Sequence, residues 1–223
     1  MQKRWVLKSK NNVNKSNKLR DELGVSSVVA DLLLHRDIET FEEARLFFRP
    51  SLSLLHDPFL MKDMELAISR IEKAIGNKEK ILIYGDYDVD GTTAVSVVYS
   101  FFREFHTGIE FYIPDRYAEG YGISTQGIDY AAAHGFSLII ALDCGIKAVD
   151  KVAYALSKNI DFIIGDHHLP GDEIPSAVAV LDPKRRDCEY PYKELSGCGI
   201  GFKIIQAFIK KNQMDMQLAY QYL

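Results

Sequence analysis

From Lys80 onward, short apolar runs rich in β-branched residues alternate with longer amphipathic segments. Runs that are apolar almost throughout are typical of strands covered on both faces of a sheet. We expect such strands at residues 81–85, 109–114, 138–143, 161–166 and 177–182. The intervening periodicity predicts helices at 92–105, 124–134 and 147–158, and a last helix from after Gly201 to near Lys211. This alternation predicts right-handed βαβ units and therefore an α/β fold, with a mostly parallel five-stranded sheet flanked by helices.

Residues 1–75 lack this alternation and are predicted to form a short helical N-terminal region. The segment Thr40–Glu43 has the Thr-x-x-Glu pattern of a capping box, and Pro50 predicts the end of the helix that follows it. Asp63 is a candidate cap for the next helix, whose apolar residues lie on one face. These signals predict a domain boundary, with residues 1–75 on one side and 76–223 on the other.

The composition is that of a globular protein long enough to bury a sizeable core, with 223 residues, 47% apolar and 26% charged. No apolar run approaches the ~18 residues of a membrane span, and no apolar secretory signal is present. The three cysteines form no Cys-x-x-Cys pair, which is typical of reduced thiols in the cytosol. We therefore expect a cytoplasmic protein without membrane contact.

The formal net charge of −4 does not by itself indicate a nucleic-acid-binding protein, but the charges are unevenly distributed. Residues 1–20 contain no acidic residue and carry a basic run: Lys3, Arg4, Lys8, Lys10, Lys15, Lys18 and Arg20. This run could contact a phosphate backbone by sequence-independent attraction. It is equally compatible with a solvated tail, and the sequence leaves both interpretations open.

Three acidic segments each follow a predicted strand. They are Tyr84–Gly91, Asp143–Gly145 and Asp166–His168. In a parallel sheet the carboxyl ends of the strands lie at one edge, where open α/β folds bind their ligands. Five carboxylates and two imidazoles at one edge are most simply explained by a pair of divalent metal ions.

The first of these segments also fits other local patterns. Asp86-x-Asp88-x-Asp90 begins like an EF-hand calcium loop, but its twelfth position is Val97 rather than Glu, and a strand precedes it. The Asp-x-Asp-x-Thr pattern from Asp88 onward fits haloacid-dehalogenase phosphatases, with Asp88 as nucleophile and Asp90 as general acid, but gives the histidines no role. A turn rich in Asp and Gly explains any one segment, but not all three together.

In this order and spacing, the YGDYDVDG, DCG and DHH segments resemble the DHH phosphoesterase superfamily, and within it the RecJ family of single-strand-specific exonucleases. The similarity extends to Phe48–Ile75, to Ile113–Ser124 and to the glycine-rich segment Leu195–Lys203. The resemblance implies that residues 76–223 are a DHH phosphoesterase domain. Members of the RecJ family continue with a fourth acidic motif and a second domain, so we expect this chain to be truncated at its C-terminus.

The resemblance implies metal-binding roles for three aspartates. In the superfamily, the two aspartates of the Asp-x-Asp motif bind different ions, and a central aspartate bridges both. Asp88 and Asp90 are therefore assigned to separate ions, and Asp143 to the bridge. Mn²⁺ or Mg²⁺ is expected, with two ions per site.

The resemblance also implies roles for the residues around these aspartates. His167 is expected to be the imidazole ligand, and His168 to contact a substrate phosphate or the bridging water. Asp86 and Asp166 are expected to be further metal ligands or acceptors that orient the ligands. Manganese pyrophosphatases of the superfamily have a histidine where this chain has Tyr84, which argues against that activity.

Two further segments are candidates for contact with nucleic acid. Arg116 could bind a phosphate with two hydrogen bonds, and Tyr121 could stack on a base. Gly197 and Gly199 precede the last predicted helix, where free backbone N–H groups could bind phosphate with help from Lys203. A structured loop in the first case and close helix packing in the second are the alternatives.

The resemblance implies a metal-dependent 5′→3′ exonuclease that hydrolyses single-stranded DNA to 5′-mononucleotides in DNA repair and recombination. The expected partners are single-stranded DNA, single-strand-binding protein and recombination helicases. Two alternatives stay open. One is a catalytically incomplete fragment that binds metal and DNA, and the other is a small-molecule phosphodiesterase or pyrophosphatase of the same superfamily.

Overall fold

The computed structural model describes residues 4–6 and 12–223, and the chain divides into two compact units, Met1–Leu55 and His56–Leu223. Three residues of the predicted basic run, Lys3, Lys8 and Lys10, lie outside the described residues. Within the described part, no helix is long and apolar enough to cross a membrane.

The first unit is helical, as its lack of strand patterns predicts. Its elements are α1 Val13–Leu23, α2 Ser27–Leu34, α3 Phe41–Phe48 and a 3₁₀ turn at Leu52–Leu54. The predicted capping box is confirmed, because the Thr40 side chain accepts from the backbone N–H of Glu43 and the Glu43 side chain accepts from that of Thr40. A small core lies between the helices and contains Leu19, Ala30, Leu33, Leu34, Ile38 and Ala44.

Three basic residues of the predicted run, Lys15, Lys18 and Arg20, lie beside acidic residues in this unit. Lys15 Nζ lies 2.6 Å from a carboxylate oxygen of Glu39, and an Arg20 guanidinium nitrogen lies 2.8 Å from one of Asp21. These are exposed pairs, which contribute little to stability. They nevertheless place negative charge beside the cations that a phosphate backbone would need.

The second unit contains a single parallel sheet of five strands within the described residues, with the order β2-β1-β3-β4-β5. The predicted α/β fold is therefore confirmed. The strands are β1 Lys80–Gly85, β2 Ile109–Tyr112, β3 Phe136–Leu142, β4 Asp161–Gly165 and β5 Ala179–Leu181. The helices are α4 Met64–Gly76, α5 Val89–Arg103, α6 Thr125–Ala133, α7 Val149–Ser157, α8 Gly197–Lys211 and α9 Gln217–Tyr220, with a 3₁₀ turn at Pro58–Leu60.

Helices cover both faces of the sheet. The helices α6 and α7 bury Ile128 and Val152 against Leu82, Ile139 and Phe162 of the central strands. The helices α4, α5 and α8 pack together on the other face, with α5 and α8 against β1 and β3. This coverage explains why β1, β3 and β4 are apolar along almost their whole length.

The compact unit begins before the domain boundary predicted at residue 76. The helix α4 is part of this unit, because its residues Ile68 and Ile71 are fully buried and it packs on α8 and β5. Asp63 precedes α4 but does not cap it, which corrects the sequence interpretation. Its carboxylate instead accepts from the backbone N–H of Val180 and from the guanidinium of Arg185, and so joins the start of α4 to β5.

Two helices begin earlier than the sequence predicts, and in both cases an N-cap side chain explains it. The helix α5 begins at Val89 because Asp88 accepts from the backbone N–H of Gly91. The helix α8 begins at Gly197 because Ser196 accepts from the backbone N–H of Gly199. Caps of this kind satisfy N–H groups that the first turn of a helix leaves free.

Candidate metal centre

A row of aspartates lies along the carboxyl edge of the sheet. The strand ends Gly85, Leu142, Gly165 and Leu181 are paired in register across β1, β3, β4 and β5. The next residue of each strand is an aspartate, and these are Asp86, Asp143, Asp166 and Asp182. All of them are buried, with at most 2% of the residue surface exposed. The chain order reverses between β1 and β3, which is where doubly wound sheets place their ligands.

Asp143 is the most constrained member of this row. Its φ is 60°, in the left-handed region that costs a non-glycine residue about 1–2 kcal/mol, although aspartate tolerates it better than most. Burial raises the pKa of Asp143 to about 7, and the nearby carboxylates of Asp90 and Asp88 reinforce the effect. Backbone strain and an unfavourable buried charge at one residue indicate a functional position.

In Asp86 and Asp182, too, burial disfavours the charged carboxylate. Burial raises the pKa of Asp86, and the charge of Asp88 adds to it. Burial raises the pKa of Asp182 to about 6, and the backbone N–H of Lys184 offsets only part of this. Among the described residues, the buried oxygens without a hydrogen-bond partner include Asp86 Oδ2, Asp143 Oδ1 and Asp182 Oδ2. Unpaired buried acceptors such as those of Asp86 and Asp143, which follow neighbouring strands, favour a bound cation.

The two aspartates of the Asp-x-Asp motif lie in front of this row, on the first turn of α5. Asp88 is exposed and caps α5, whereas Asp90 is partly buried. The two oxygens of Asp90 accept from the backbone N–H groups of Gly197 and Cys198, each at 2.7 Å. The N-terminus of α8 therefore fixes the orientation of Asp90 and favours its negative charge.

These contacts correct the interpretation of the glycine-rich segment as a free phosphate site. The N–H groups of Gly197 and Cys198 are engaged by Asp90, and that of Gly199 by Ser196. Lys203 does not assist there either. It is buried, its ammonium donates to the carbonyl of His56 and to Gln206, and burial lowers its pKa to about 8.

His167 lies between the row and the Asp-x-Asp motif. Its Nε2 is 3.0 Å from Asp143 Oδ1 and 3.5 Å from Asp90 Oδ2, without the alignment of a hydrogen bond to the former. Ligand atoms of Asp143, His167 and His168 lie within 4.8 Å of one another. This mixture of carboxylate and imidazole groups suits a divalent ion such as Mn²⁺, and the unpartnered Asp143 oxygen gives it a place.

Asp166 differs from the other aspartates of the row because both of its oxygens are engaged. Oδ2 accepts from the backbone N–H of Ile146, and Oδ1 accepts from the N–H groups of His167 and His168. Oδ1 also lies 2.7 Å from Nδ1 of His168. Burial lowers the pKa of His168, but the bond to Asp166 outweighs this and the pKa is raised overall. Asp166 thus holds the orientation of His168 rather than offering a free oxygen.

An aromatic row leads from the histidines to the surface. The Tyr121 hydroxyl lies 3.2 Å from His168 Nε2, and the ring of Tyr121 is edge-on to that of Tyr87, with 6.3 Å between centroids. The guanidinium of Arg116 lies over the ring of Tyr87, at 5.2 Å from its centroid. The structure therefore brings the predicted residues Arg116 and Tyr121 towards His168. Tyr87 lies between Arg116 and Tyr121.

Tyr84 holds the loop that carries Tyr121. Its ring is buried against Tyr112, its hydroxyl donates to the carbonyl of Gly122, and it accepts from the backbone N–H of Ser124. Glu119 completes this network, since its carboxylate accepts from Tyr112, from Ser124 and from the backbone N–H of Asp115. Tyr84 is thus a structural support of the loop.

Replacing Tyr84 by phenylalanine is expected to lower the free energy of unfolding by about 1–3 kcal/mol, because the Gly122 carbonyl and the Ser124 N–H lose a buried partner. Loosening of the loop should appear as faster amide exchange at Tyr121 and Gly122. The matched control is Tyr99→Phe, since Tyr99 lies on α5 outside this network. Equal exchange rates in Tyr84→Phe and the parent chain would contradict the role.

Sequence reasoning missed three residues of the site. Tyr87 was overlooked because it alternates with the acidic ligands, and Glu119 because its partners are distant aromatic residues. Asp182 carries no motif. Its position directly after a predicted strand, like that of Asp143 and Asp166, was the signal that could have identified it.

Comparison with known proteins identifies a matching family and related sequences. A family model described as "DHH family, N-terminal domain" matches residues 80–223. The single-stranded-DNA-specific exonuclease RecJ of Bacillus subtilis is 43% identical over 206 residues, which cover 92% of this chain and 26% of the relative. RecJ of Escherichia coli is 36% identical over 148 residues, which cover 66% of this chain and 26% of the relative. The chain thus spans about a quarter of the length of these curated relatives.

Solved structures share the fold. The exonuclease RecJ bound to manganese is 24% identical, with a TM-score of 0.66, over 77% of this chain and 44% of that one. RecJ in complex with Mn²⁺ from Thermus thermophilus is 21% identical, with a TM-score of 0.72, over 98% of this chain and 31% of that one. With the family model matching well over half of its residues, the chain belongs to the DHH family.

Proposed function

We propose that this chain carries the metal-binding centre of a nuclease that hydrolyses phosphodiester bonds of single-stranded DNA. The observation that carries the proposal is the in-register row of buried aspartates, in which the unpartnered Oδ1 of Asp143 lies 3.0 Å from Nε2 of His167. The relatives named as single-stranded-DNA-specific exonucleases support the substrate. Related structures with bound Mn²⁺ and Mg²⁺ support the choice of ions.

The residues of the site have different proposed roles. Asp88, Asp90, Asp143 and His167 would hold the ions, with Asp143 as the central ligand, because its Oδ1 has no protein partner and lies beside His167. Bound divalent ions would supply charge neutralisation at the phosphate and a water of lowered pKa. His168 would contact the phosphate through Nε2, in exchange for its contact with the Tyr121 hydroxyl, in a ring orientation that Asp166 fixes.

Buried Asp86 contributes negative charge behind the ions and is a further candidate ligand, since its Oδ2 has no protein partner. Asp166 acts as an orienting acceptor, because its oxygens already accept from backbone and imidazole donors. This division favours Asp86 over Asp166 as the additional ligand. It also explains why two aspartates in equivalent positions of the sheet would serve different purposes.

The aromatic row suits a single strand rather than a duplex. Exposed Tyr121 and half-buried Tyr87 offer faces and edges for unstacked bases, and Arg116 offers a planar cation for a phosphate at the outer end. We infer attack from the 5′ end with release of 5′-mononucleotides, in a cytoplasmic enzyme of DNA repair and recombination. Single-strand-binding protein and recombination helicases are the proposed protein partners.

The test is hydrolysis of a single-stranded oligonucleotide that is labelled at either end, with Mn²⁺ and with Asp143→Asn as the inactive control. Stepwise release of 5′-mononucleotides by the parent chain alone would support the exonuclease. Preferential cleavage of dinucleotides or pyrophosphate would favour a small-molecule enzyme. Tight Mn²⁺ binding without any hydrolysis would show a metal site that needs residues from elsewhere.

A further inference from the structure

A cavity of about 300 Å³ opens beside Asp166 and His168. Its walls come from two loops at the carboxyl edge of the sheet, with Ile123 on one side and Ile146 on the other. Gly145 shapes its floor with a φ of +113°, and a Cβ atom there would lie 3.0 Å from Ile123. His168 and Tyr121 form the rim that faces the candidate metal centre.

Two lysines give this cavity a cationic side. Lys147 is exposed at its mouth, and its side-chain stem lies near Gly171 of the loop that follows the histidines. Lys151, one turn further along α7, is half-buried and donates to the Thr125 hydroxyl. Among the described residues, Lys147 is not engaged in an ion pair, so its ammonium is available to a ligand.

The cavity therefore combines an apolar interior with cations at one edge. Its volume lies at the lower end of the range for small-molecule sites, about 300–1,000 Å³, which suits one nucleoside. The apolar side chains can contact the face of a base, and the lysine can contact a phosphate. The cationic edge would suit neither a purely apolar ligand nor a free metal ion.

We propose that this cavity, defined by Ile123, Ile146, Lys147 and Ala148, binds the sugar and base of a nucleoside 5′-monophosphate unit, with Lys147 on its phosphate. The inference deepens the proposed function, on which it rests, because it assigns a binding place to the nucleotide next to the reacting phosphate. It also explains why Tyr121 and His168 are held together at this rim by a hydrogen bond.

The experiment is a calorimetric titration of thymidine 5′-monophosphate into the 223-residue chain in Mg²⁺, with inorganic phosphate as a second probe. Lys147→Ala is expected to weaken binding of the mononucleotide by about tenfold, the loss of one hydrogen bond to a charged group. Lys73→Ala is the matched control, because Lys73 is an exposed lysine near the end of α4.

A second variant tests the apolar part. Ala148→Phe should fill the cavity and abolish mononucleotide binding, while inorganic phosphate binds as it does to the parent chain. Unchanged affinity for the mononucleotide in both Lys147→Ala and Ala148→Phe would overturn the proposal. If Ala148→Phe does not fold, Lys147→Ala and its control decide the outcome.

The design separates this inference from the proposed function. The parent chain could bind the mononucleotide but hydrolyse no oligonucleotide, with binding lost in these variants. That result would support the cavity as a nucleotide site and contradict the nuclease activity. Alternatively, Lys147→Ala could hydrolyse oligonucleotides with unchanged kcat and KM and bind the mononucleotide with unchanged affinity. That result would support the nuclease activity and contradict the cavity as a nucleotide site.

Discussion

Asp143→Asn is expected to make the metal-free chain more stable at neutral pH and to remove its stabilisation by Mn²⁺. The Asp143 carboxylate is buried among other acidic groups, and its Oδ1 has no hydrogen-bond partner. An amide of the same shape removes the charge. Asparagine also tolerates the left-handed backbone found here, at φ 60°, so the strand end should keep its conformation.

The pH dependence of stability follows from the raised pKa of Asp143. The pKa of Asp143 is raised from its ordinary value of 3.8 to about 7, so between these values the folded chain binds a proton that the unfolded chain has lost. The stability that this group contributes therefore falls as the pH rises from about 4 to 7, by an amount on the order of 4 kcal/mol. Asp143→Asn does not lose stability in this way. The difference in free energy of unfolding between the variant and the parent chain should therefore be largest above pH 7 and vanish below pH 4.

Thermal unfolding at pH 5 and pH 8, with and without Mn²⁺, measures both effects. Asp172→Asn is the matched control, because it makes the same chemical change at an exposed position. Binding of an ion by the folded state alone raises the unfolding temperature of the parent chain. A variant that keeps the full Mn²⁺-dependent rise would show that Asp143 does not hold the ions.

The sequence identified the row of aspartates because strand ends are set by local signals. Each of Asp86, Asp143 and Asp166 directly follows a run that is apolar enough to be buried on both faces. Parallel pairing then brings successive strand ends to one edge without any further information. The order β2-β1-β3-β4-β5 was not predicted, because the strand patterns do not specify which strands are neighbours.

The sequence was misleading where long-range contacts determine which groups are free to bind a ligand. Free N–H groups at Gly197 were a reasonable expectation for a glycine-rich helix start, but Asp90, far away in the chain, accepts from that N–H. Lys203 was expected near the site because it follows the glycines closely. It lies on a helix whose residues are buried on nearly all sides, and packing turns its ammonium towards His56 instead.

Gly197→Ala is expected to lower the unfolding temperature and to weaken Mn²⁺ binding at the same time. A Cβ atom at Gly197 would lie 2.5 Å from Asp143 Cβ and 2.6 Å from Asp143 Oδ1, closer than real atoms approach. The helix start is wedged between Asp143 and Asp90, so neither partner can move without disturbing the candidate metal centre.

The expected size follows from opposing terms. Alanine stabilises a helix by about 1 kcal/mol relative to glycine, whereas overpacking of a well-packed site costs about 1–3 kcal/mol. The overlap with Asp143 involves its Cβ and Cγ as well as Oδ1, so overpacking should prevail. A net loss of about 1 kcal/mol would lower the unfolding temperature of a chain of this length by about 2–4 °C.

Gly199→Ala is the matched control, because it makes the same substitution in the same turn of α8. Its Cβ would lie 3.3 Å from a terminal methyl group of Leu195, which can move, and at least as far from other atoms. Gly199→Ala should therefore be neutral or slightly stabilising and should bind Mn²⁺ like the parent chain. Equal behaviour of the two variants would mean that the helix start tolerates a side chain and that Asp143 is not held by contact with Gly197. A loss confined to Gly197→Ala would instead assign the glycine-rich segment its purpose, which is to let a helix N-terminus reach two acidic side chains at once.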